Sequence, residues 1–182
     1  MDPAKFAAWF DAHAAGLVLY ARQWLDRPAA EDVVQEVFVR LLAQDGEPPN
    51  VRAWLFLATR HAAIAAARSD RRRQARERTV AGQRSDGAPF HPVHSADDRL
   101  DAAAAEAALA GLPPAHREVV FLRIWGGMTL AEVAGVTGSA VSTVYDQYRA
   151  ALTRVRRILE SGASTESREI PCSTHPTTGP SP

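Results

Sequence analysis

Residues 129–159 read TLAEVAGVTGSAVSTVYDQYRAALTRVRRIL, and no other stretch constrains the fold of this chain as tightly. Thr129 and Glu132 stand at the spacing of a capping box, in which each side chain satisfies a free backbone N–H at a helix start. Leu130, Val133 and Ala134 then give a short helix its inner face. Gly138 permits the backbone of a tight turn, and Ser139 is placed to cap a second helix whose inner face is Val141, Val144, Tyr148, Ala151, Leu152 and Val155. A short helix, a glycine turn and a longer helix form the helix-turn-helix pattern, in which the first helix braces the second as it enters a major groove. Ser142, Thr143, Asp146 and Gln147 then face outward near the start of the second helix, suited to base edges, and Arg149, Arg154 and Arg157 lie further along, suited to phosphates. The same spacing describes an αα-hairpin inside a helical bundle, and taken alone the stretch leaves both readings open. Asp146 bears on the choice, because a carboxylate there repels phosphate and accepts usefully only from cytosine N4.

The rest of the chain repeats the helical spacing, and no segment alternates as a strand would, so the class is all-α. Phe6, Phe10, Leu17, Ala21 and Trp24 share one face, and Asp26-Arg27-Pro28 breaks the chain and offers a proline at a helix start. Val33, Val34, Val37, Phe38, Leu41 and Leu42 form the apolar side of the next helix, leaving Asp32, Gln35, Glu36 and Arg40 on the other. GEPPN (46–50) must be a loop. A third helix carries Val51, Trp54, Leu55, Ala58, Ala62 and Ala65 as its buried stripe and runs out into arginines from Arg68. Residues 79–99 have few large apolar side chains and read as a flexible linker. Helical spacing resumes near Leu100, with Gly111 and Pro113-Pro114 marking a break. From Ser161 the chain is rich in Ser, Thr, Pro and Gly and is expected to be disordered. The expected organisation is two small helical domains, 1–78 and 100–160, joined by the linker and followed by a tail, 161–182.

The formal net charge of zero hides an uneven distribution. Residues 68–84 hold seven arginines against two acids, residues 85–112 sum to −4, and residues 113–160 return to +2. Two basic patches around an acidic connector are compatible with two DNA-contacting modules, since phosphate contacts need local positive charge; solvated helix faces would give the same count.

Several function classes find no support. There is no run of eighteen or more uncharged apolar residues and no secretory signal pattern at the N-terminus, so a cytoplasmic protein without membrane insertion is expected. The single cysteine, Cys172, cannot form an internal disulfide. No P-loop, HExxH helix or nucleophile elbow is present, and no enzyme activity, cofactor or metal site is expected. His91 and His94 lack a second ligand pair at metal-binding spacing.

Taken together, the two halves resemble the extracytoplasmic-function group of the sigma-70 family over most of residues 5–159. The resemblance is carried by AEDVVQEVFVRLL (30–42), by VRAWLFLATRHAAIAAARSDRRR (51–73), and by LPPAHREVVFLRIWGGMTLAEVAGVTGSAVSTV (112–144). It implies a transcription initiation factor that joins core RNA polymerase and directs it to promoters. Asp32, Gln35, Glu36 and Arg40, with neighbouring Phe38 and Leu41, would grip the polymerase. The loop from Asp45 to Asn50 and the helix carrying Arg52, Trp54, Arg60 and His61 would read the minus-ten element by capturing a flipped base, with Arg68, Arg71, Arg72 and Arg73 on phosphates. Trp54 equally suits a core position by its spacing. Ser139, Ser142, Thr143, Tyr145, Asp146, Gln147, Arg149 and Arg154 would meet the minus-thirty-five element, and an anti-sigma protein is an implied partner.

The chain also departs from the family pattern. His61 and Ala65 stand where an asparagine and a carboxylate are frequent, and Tyr145, Asp146 and Gln147 replace a basic stretch, so the resemblance carries no promoter sequence. Two other readings remain. A free-standing helix-turn-helix regulator would act without polymerase, and a helical sequestering module would bind no DNA. The first leaves unexplained an acidic face, a loop and an arginine-rich helix exit in that order in the first half, while the zero net charge and Asp146 would suit the second.

Overall fold

The structure, a computed structural model, describes residues 2–81 and 109–166. Within them the chain forms six helices and no strand: α1 (Pro3–Ala21), α2 (Arg27–Leu42), α3 (Val51–Ala81), α4 (Pro114–Ile124), α5 (Leu130–Thr137) and α6 (Val141–Glu166). The all-α expectation holds for these residues. The expected linker falls mostly outside them, as do His91, His94 and Cys172. At the boundaries, α3 continues to Ala81 and α6 to Glu166, both past the domain limits that composition suggested.

Local chemistry starts each helix. Asp2 caps α1 by accepting from the Ala4 N–H at 3.0 Å, and Asp26 caps α2 by accepting from the Ala29 N–H at 3.0 Å, each with a proline in the first turn where no N–H is needed. Asn50 does the same for α3, its Oδ1 accepting from the Ala53 N–H at 3.0 Å. Proline occupies the N-cap of α4, so no side-chain cap forms there. Arg117 instead donates backward to the carbonyls of Leu109, Ala110 and Leu112 at 2.8–3.0 Å, satisfying acceptors that the preceding segment leaves open. That bond set gives the arginine of the LPPAHR stretch a structural task.

Helices α1, α2 and α3 pack mutually, and α4, α5 and α6 form a second set. In the first, Leu17 and Tyr20 meet Val34, Val37, Phe38 and Leu41 from α2 and Val51, Leu55 and Phe56 from α3. Farther along, Ala63 and Ala67 of α3 lie against Ala21, Leu25, Ala30 and Val33, where small side chains let the helices approach. This second cluster turns the buried stripe of α3. Phe56, Thr59, Ala63 and Ala67 are buried, whereas Ala65, expected inside, is exposed. Leu42, also expected inside, is exposed at the C-terminal end of α2.

The helix-turn-helix forms as the sequence indicates. Thr129 and Glu132 complete the capping box, and Gly138 closes α5 with φ +69°, a left-handed conformation that suits glycine. The Ser139 N–H bonds the Ala134 carbonyl at 3.2 Å, so Ser139 belongs to the turn, and the first backbone bond of α6 runs from Val144 to Ala140 at 3.0 Å. On α6 only one narrow side is covered. Val144 and Ala151 are buried and Tyr148 and Val155 partly so, while Val141 and Leu152, expected inside, face out.

The two helical sets are not separate in space. Val119, Leu122, Met128, Val133 and Val136 of the second share one apolar core with Leu17, Tyr20 and Phe56 of the first. Helices α3 and α5 are in direct contact.

Candidate functional site

On α2 the inner side is closed and the outer side open. Asp32, Gln35, Glu36, Val39 and Arg40 are exposed, whereas Val34, Val37, Phe38 and Leu41 are buried. Arg40 and Glu36 form an ion pair along the exposed face. Two residues expected on this contact face are therefore corrected: Phe38 is 3% and Leu41 0% exposed, and Phe38 packs against the rings of Phe6 and Phe10 at 5.8 and 4.9 Å. They support the face from below. Val39, 63% exposed, is the apolar residue that the face presents, and sequence spacing alone did not single it out.

The arginine-rich exit of α3 is exposed at Arg68, Arg71, Arg72 and Arg73, with Arg73 paired to Asp70 at 2.6 Å. Nearer its start, α3 forms a groove of about 450 Å³ with α2, lined by Arg40, Gln44, Trp54, Leu57 and His61. Trp54 is half-buried: it touches the core with one part, as its spacing suggested, and lines the groove with another. A second groove of about 510 Å³ lies beside the 47–52 segment, with Trp9 stacked on His13 at 5.5 Å at its edge. Burial, and secondarily the Arg52 charge, push the His13 pKa down.

Three of the expected minus-ten residues point elsewhere. Arg60 Nε donates to Glu118 Oε1 at 2.7 Å, and the Tyr20 hydroxyl donates to the same oxygen at 2.6 Å. Tyr20 is fully buried and Glu118 nearly so. Burial first, then the Glu118 charge, raise the Tyr20 pKa well above its ordinary value, so the phenol stays protonated and donates. Asn50 Nδ2 and Arg52 Nη2 both donate to Glu132 Oε1, at 2.7 and 3.1 Å. Glu132 also accepts from the Thr129 N–H at 2.7 Å, and these bonds, that of the Thr129 backbone foremost, hold its pKa at about 2. Sequence reasoning missed Tyr20, Glu118 and the second task of Glu132. Their partners are 98, 58 and about 80 positions away, and no local signal marks such pairs.

The start of α6 presents Ser142, Thr143, Tyr145 and Asp146, all exposed, with Gln147 partly covered. Arg149 lies over the Tyr145 ring at 5.6 Å, and Arg154 is exposed further along. Arg123 of α4 lies over the Tyr148 ring at 5.8 Å and donates to the Met128 carbonyl, so it touches both α6 and the turn between α4 and α5. No group of three or more His, Cys, Asp or Glu side chains that could hold a metal occurs among the described residues, and no helix there is long and apolar enough to cross a membrane.

Comparison with known proteins accounts for this pairing of units. The Sigma-70 region 2 model matches residues 9–73, and the Sigma-70, region 4 model matches residues 102–155. The ECF RNA polymerase sigma factor SigL of Mycobacterium tuberculosis is 34% identical over 170 residues, covering 87% of this chain and 91% of that protein. The chain is an extracytoplasmic-function sigma factor of the sigma-70 family. The ECF RNA polymerase sigma factor RpoE of Cereibacter sphaeroides is similar at 29% over 130 residues, covering 70% of this sigma factor and 68% of that one. Two solved structures share the fold. The sigma factor RpoE of Bartonella quintana, in complex with the anti-sigma factor NepR, has a TM-score of 0.61 at 23% identity, covering 86% of this chain and 97% of that one. CnrH, in complex with the cytosolic domain of CnrY, has a TM-score of 0.60 at 24% identity, covering 88% and 90%. Sigma factors are not an enzyme class; their place is in transcription initiation and its regulation.

Proposed function

We propose that this sigma factor binds core RNA polymerase through the exposed side of α2 and directs it to promoters. In this reading a region 2-like unit, residues 1–78, takes the minus-ten element, and a region 4-like unit, residues 100–160, takes the minus-thirty-five element. The observation that carries it is the two-sidedness of α2: Asp32, Gln35, Glu36, Val39 and Arg40 stay exposed on a helix whose other side is sealed into the core. An interface of charged residues around an exposed apolar one is suited to a partner of complementary charge. Arg68, Arg71 and Arg72 take phosphates by charge and fork geometry, and the Trp54–His61 groove, with Asn50, Arg52 and Arg60 nearby in sequence, takes unpaired bases. Ser142, Thr143, Tyr145, Asp146 and Gln147 lie in the major groove, with Ser139 at its edge and Arg149 and Arg154 on phosphates. An anti-sigma protein is the expected regulator, supported by the NepR and CnrY complexes of the two structural relatives.

The test is co-elution of the purified chain with sigma-free bacterial core polymerase on a sizing column. A stable complex is expected, lost on combined Asp32→Ala and Glu36→Ala substitution. No complex with the unsubstituted chain would reject the reading in favour of a helix-turn-helix regulator acting without polymerase.

A further inference from the structure

On the outward side of α6, Ser142, Asp146, Arg149 and Thr153 recur at intervals of four, three and four, opposite the buried Val144 and Ala151. Thr153 turns its hydroxyl back to the Arg149 carbonyl at 3.0 Å, so that donor is spent on the helix itself. Arg149 stands three positions after Asp146, a spacing at which opposite charges pair on a helix. It lies instead over the Tyr145 ring, 5.6 Å from the centroid. Asp146 is exposed in the second turn of α6, and its carboxylate forms no ion pair or hydrogen bond among the described residues. An acidic group is thus left uncompensated on the outward face, although Arg149, Arg154 and Arg156 follow it within the next three turns.

An ionised carboxylate has acceptors only. The major groove offers it two donors, the amines of cytosine N4 and adenine N6. At adenine the N7 acceptor lies beside the amine and repels the second carboxylate oxygen, whereas cytosine has no such neighbour on its own ring. Guanine and thymine present acceptors alone. Flanking phosphates oppose the carboxylate at every sequence, so only a donor in direct contact offsets its presence, and selection acts as much against other bases as for the right one. We propose that Asp146 is a specificity-determining residue of α6, selecting cytosine at one position of the upstream promoter element, with Tyr145 as a positioning residue that keeps Arg149 from neutralising it. The inference rests on the reading of α6 as the minus-thirty-five helix. Asparagine in place of Asp146 turns the preference to adenine, because its amide donates to N7 and accepts from N6, the pairing that a carboxylate cannot make.

The experiment assembles the full chain with sigma-free core polymerase and lets the complex select from duplex DNA randomised over the length of a promoter; the retained DNA is sequenced. The unsubstituted chain is expected to enrich an upstream block with one position at which cytosine leads the other bases by about tenfold, the ordinary effect of one wrong pair. Asp146→Asn moves that position to adenine and Asp146→Ala levels it, while the other positions and the downstream block stay as they were. Tyr145→Phe, which keeps the ring, retains the cytosine preference, and Tyr145→Leu weakens it several-fold at that position alone. Helical circular dichroism confirms that each variant is folded. Unchanged base preferences in both Asp146 variants, whatever their overall affinity, overturn the proposal while leaving the reading of α6 intact. A Tyr145→Leu change confined to a different position makes Tyr145 a base reader in its own right and overturns its positioning role. An upstream block without preference in any form, beside an intact downstream block, removes the reading of α6 and this inference with it.

Discussion

The Tyr20 hydroxyl and Glu118 meet at 2.6 Å although 98 positions separate them. Glu118 also takes the Arg60 guanidinium, so one almost buried carboxylate joins α1, α3 and α4. Removing it leaves a buried phenol and a largely buried guanidinium without their acceptor, which costs more than the net worth of the bonds themselves. Glu118→Ala is expected to lower unfolding stability by about 3 kcal/mol, and Tyr20→Phe by about 1 kcal/mol. Urea titration followed by circular dichroism measures both. Equal losses in the two variants would show that Arg60 contributes nothing to the cluster.

Glu132 makes stability depend on pH in the acid range. Its carboxyl is held at about 2 against an ordinary 4.5, first by the Thr129 backbone N–H and then by Asn50, the Thr129 hydroxyl and Arg52. A carboxylate whose folded pKa is depressed stabilises the fold above its unfolded value and loses that contribution as pH falls toward the folded one. With partial solvent screening the contribution is about 1–2 kcal/mol, present above about pH 4.5 and gone near pH 2. Thermal unfolding from pH 6 down to 2 should show a smaller total decline in Glu132→Gln than in the wild-type chain, the two curves converging at the acid end.

What the sequence disclosed and what it withheld divide by distance along the chain. The Thr129–Glu132 box and the Gly138 turn were legible because both are fixed by residues three or a few positions apart. The caps Asp2, Asp26 and Asn50 obey the same local rule. Helical spacing also found most of each buried side. It erred where a partner helix covers only a narrow stripe, as at Val141 and Leu152 on α6, or where packing rotates along a long helix, as at Ala65 on α3. Periodicity reports which side chains share a face, whereas the breadth of the covered stripe depends on neighbours that lie far off in sequence. Glu118 shows the limit most clearly. Between Arg117 and Val119 it reads as an ordinary polar helix position, and only the arrival of Tyr20 and Arg60 makes it a buried junction.

Phe38 and Val39 are adjacent and have opposite tasks. Phe38 is 3% exposed against Phe6 and Phe10, while Val39 is 63% exposed on the proposed polymerase face. Phe38→Ala should cost about 3–5 kcal/mol by leaving a cavity in the core, whereas Val39→Asp should change stability by no more than about 0.5 kcal/mol. Core polymerase binding should respond to Val39→Asp with a loss of roughly tenfold or more in affinity. Parallel denaturation and polymerase titrations on the two variants separate folding from docking. A stable Val39→Asp protein that binds polymerase normally would move the docking face off this side of α2.

Two glycines of the second unit should respond to alanine with opposite signs. At Gly126, in the turn after α4, an added Cβ would meet the Leu122 carbonyl oxygen at 2.5 Å, and the backbone there already donates to the Phe121 carbonyl at 3.0 Å, so the turn itself must shift. Gly135, inside α5, has no atom within 4 Å of an added Cβ and ordinary helical geometry around it. Alanine at that position narrows the unfolded ensemble and meets no obstacle, for a gain of about 0.5–1 kcal/mol. Gly126→Ala should instead lose about 2 kcal/mol or more, the range for strain forced into a packed turn. Because Met128, fully buried in the shared core, is held by a bond from its N–H to the Leu122 carbonyl at 3.1 Å, that same oxygen cannot yield without loosening the contact between the two units. Thermal unfolding of the two single variants supplies the comparison, and a Gly126→Ala protein as stable as the wild type would show that the α4–α5 turn has slack that its backbone contacts deny.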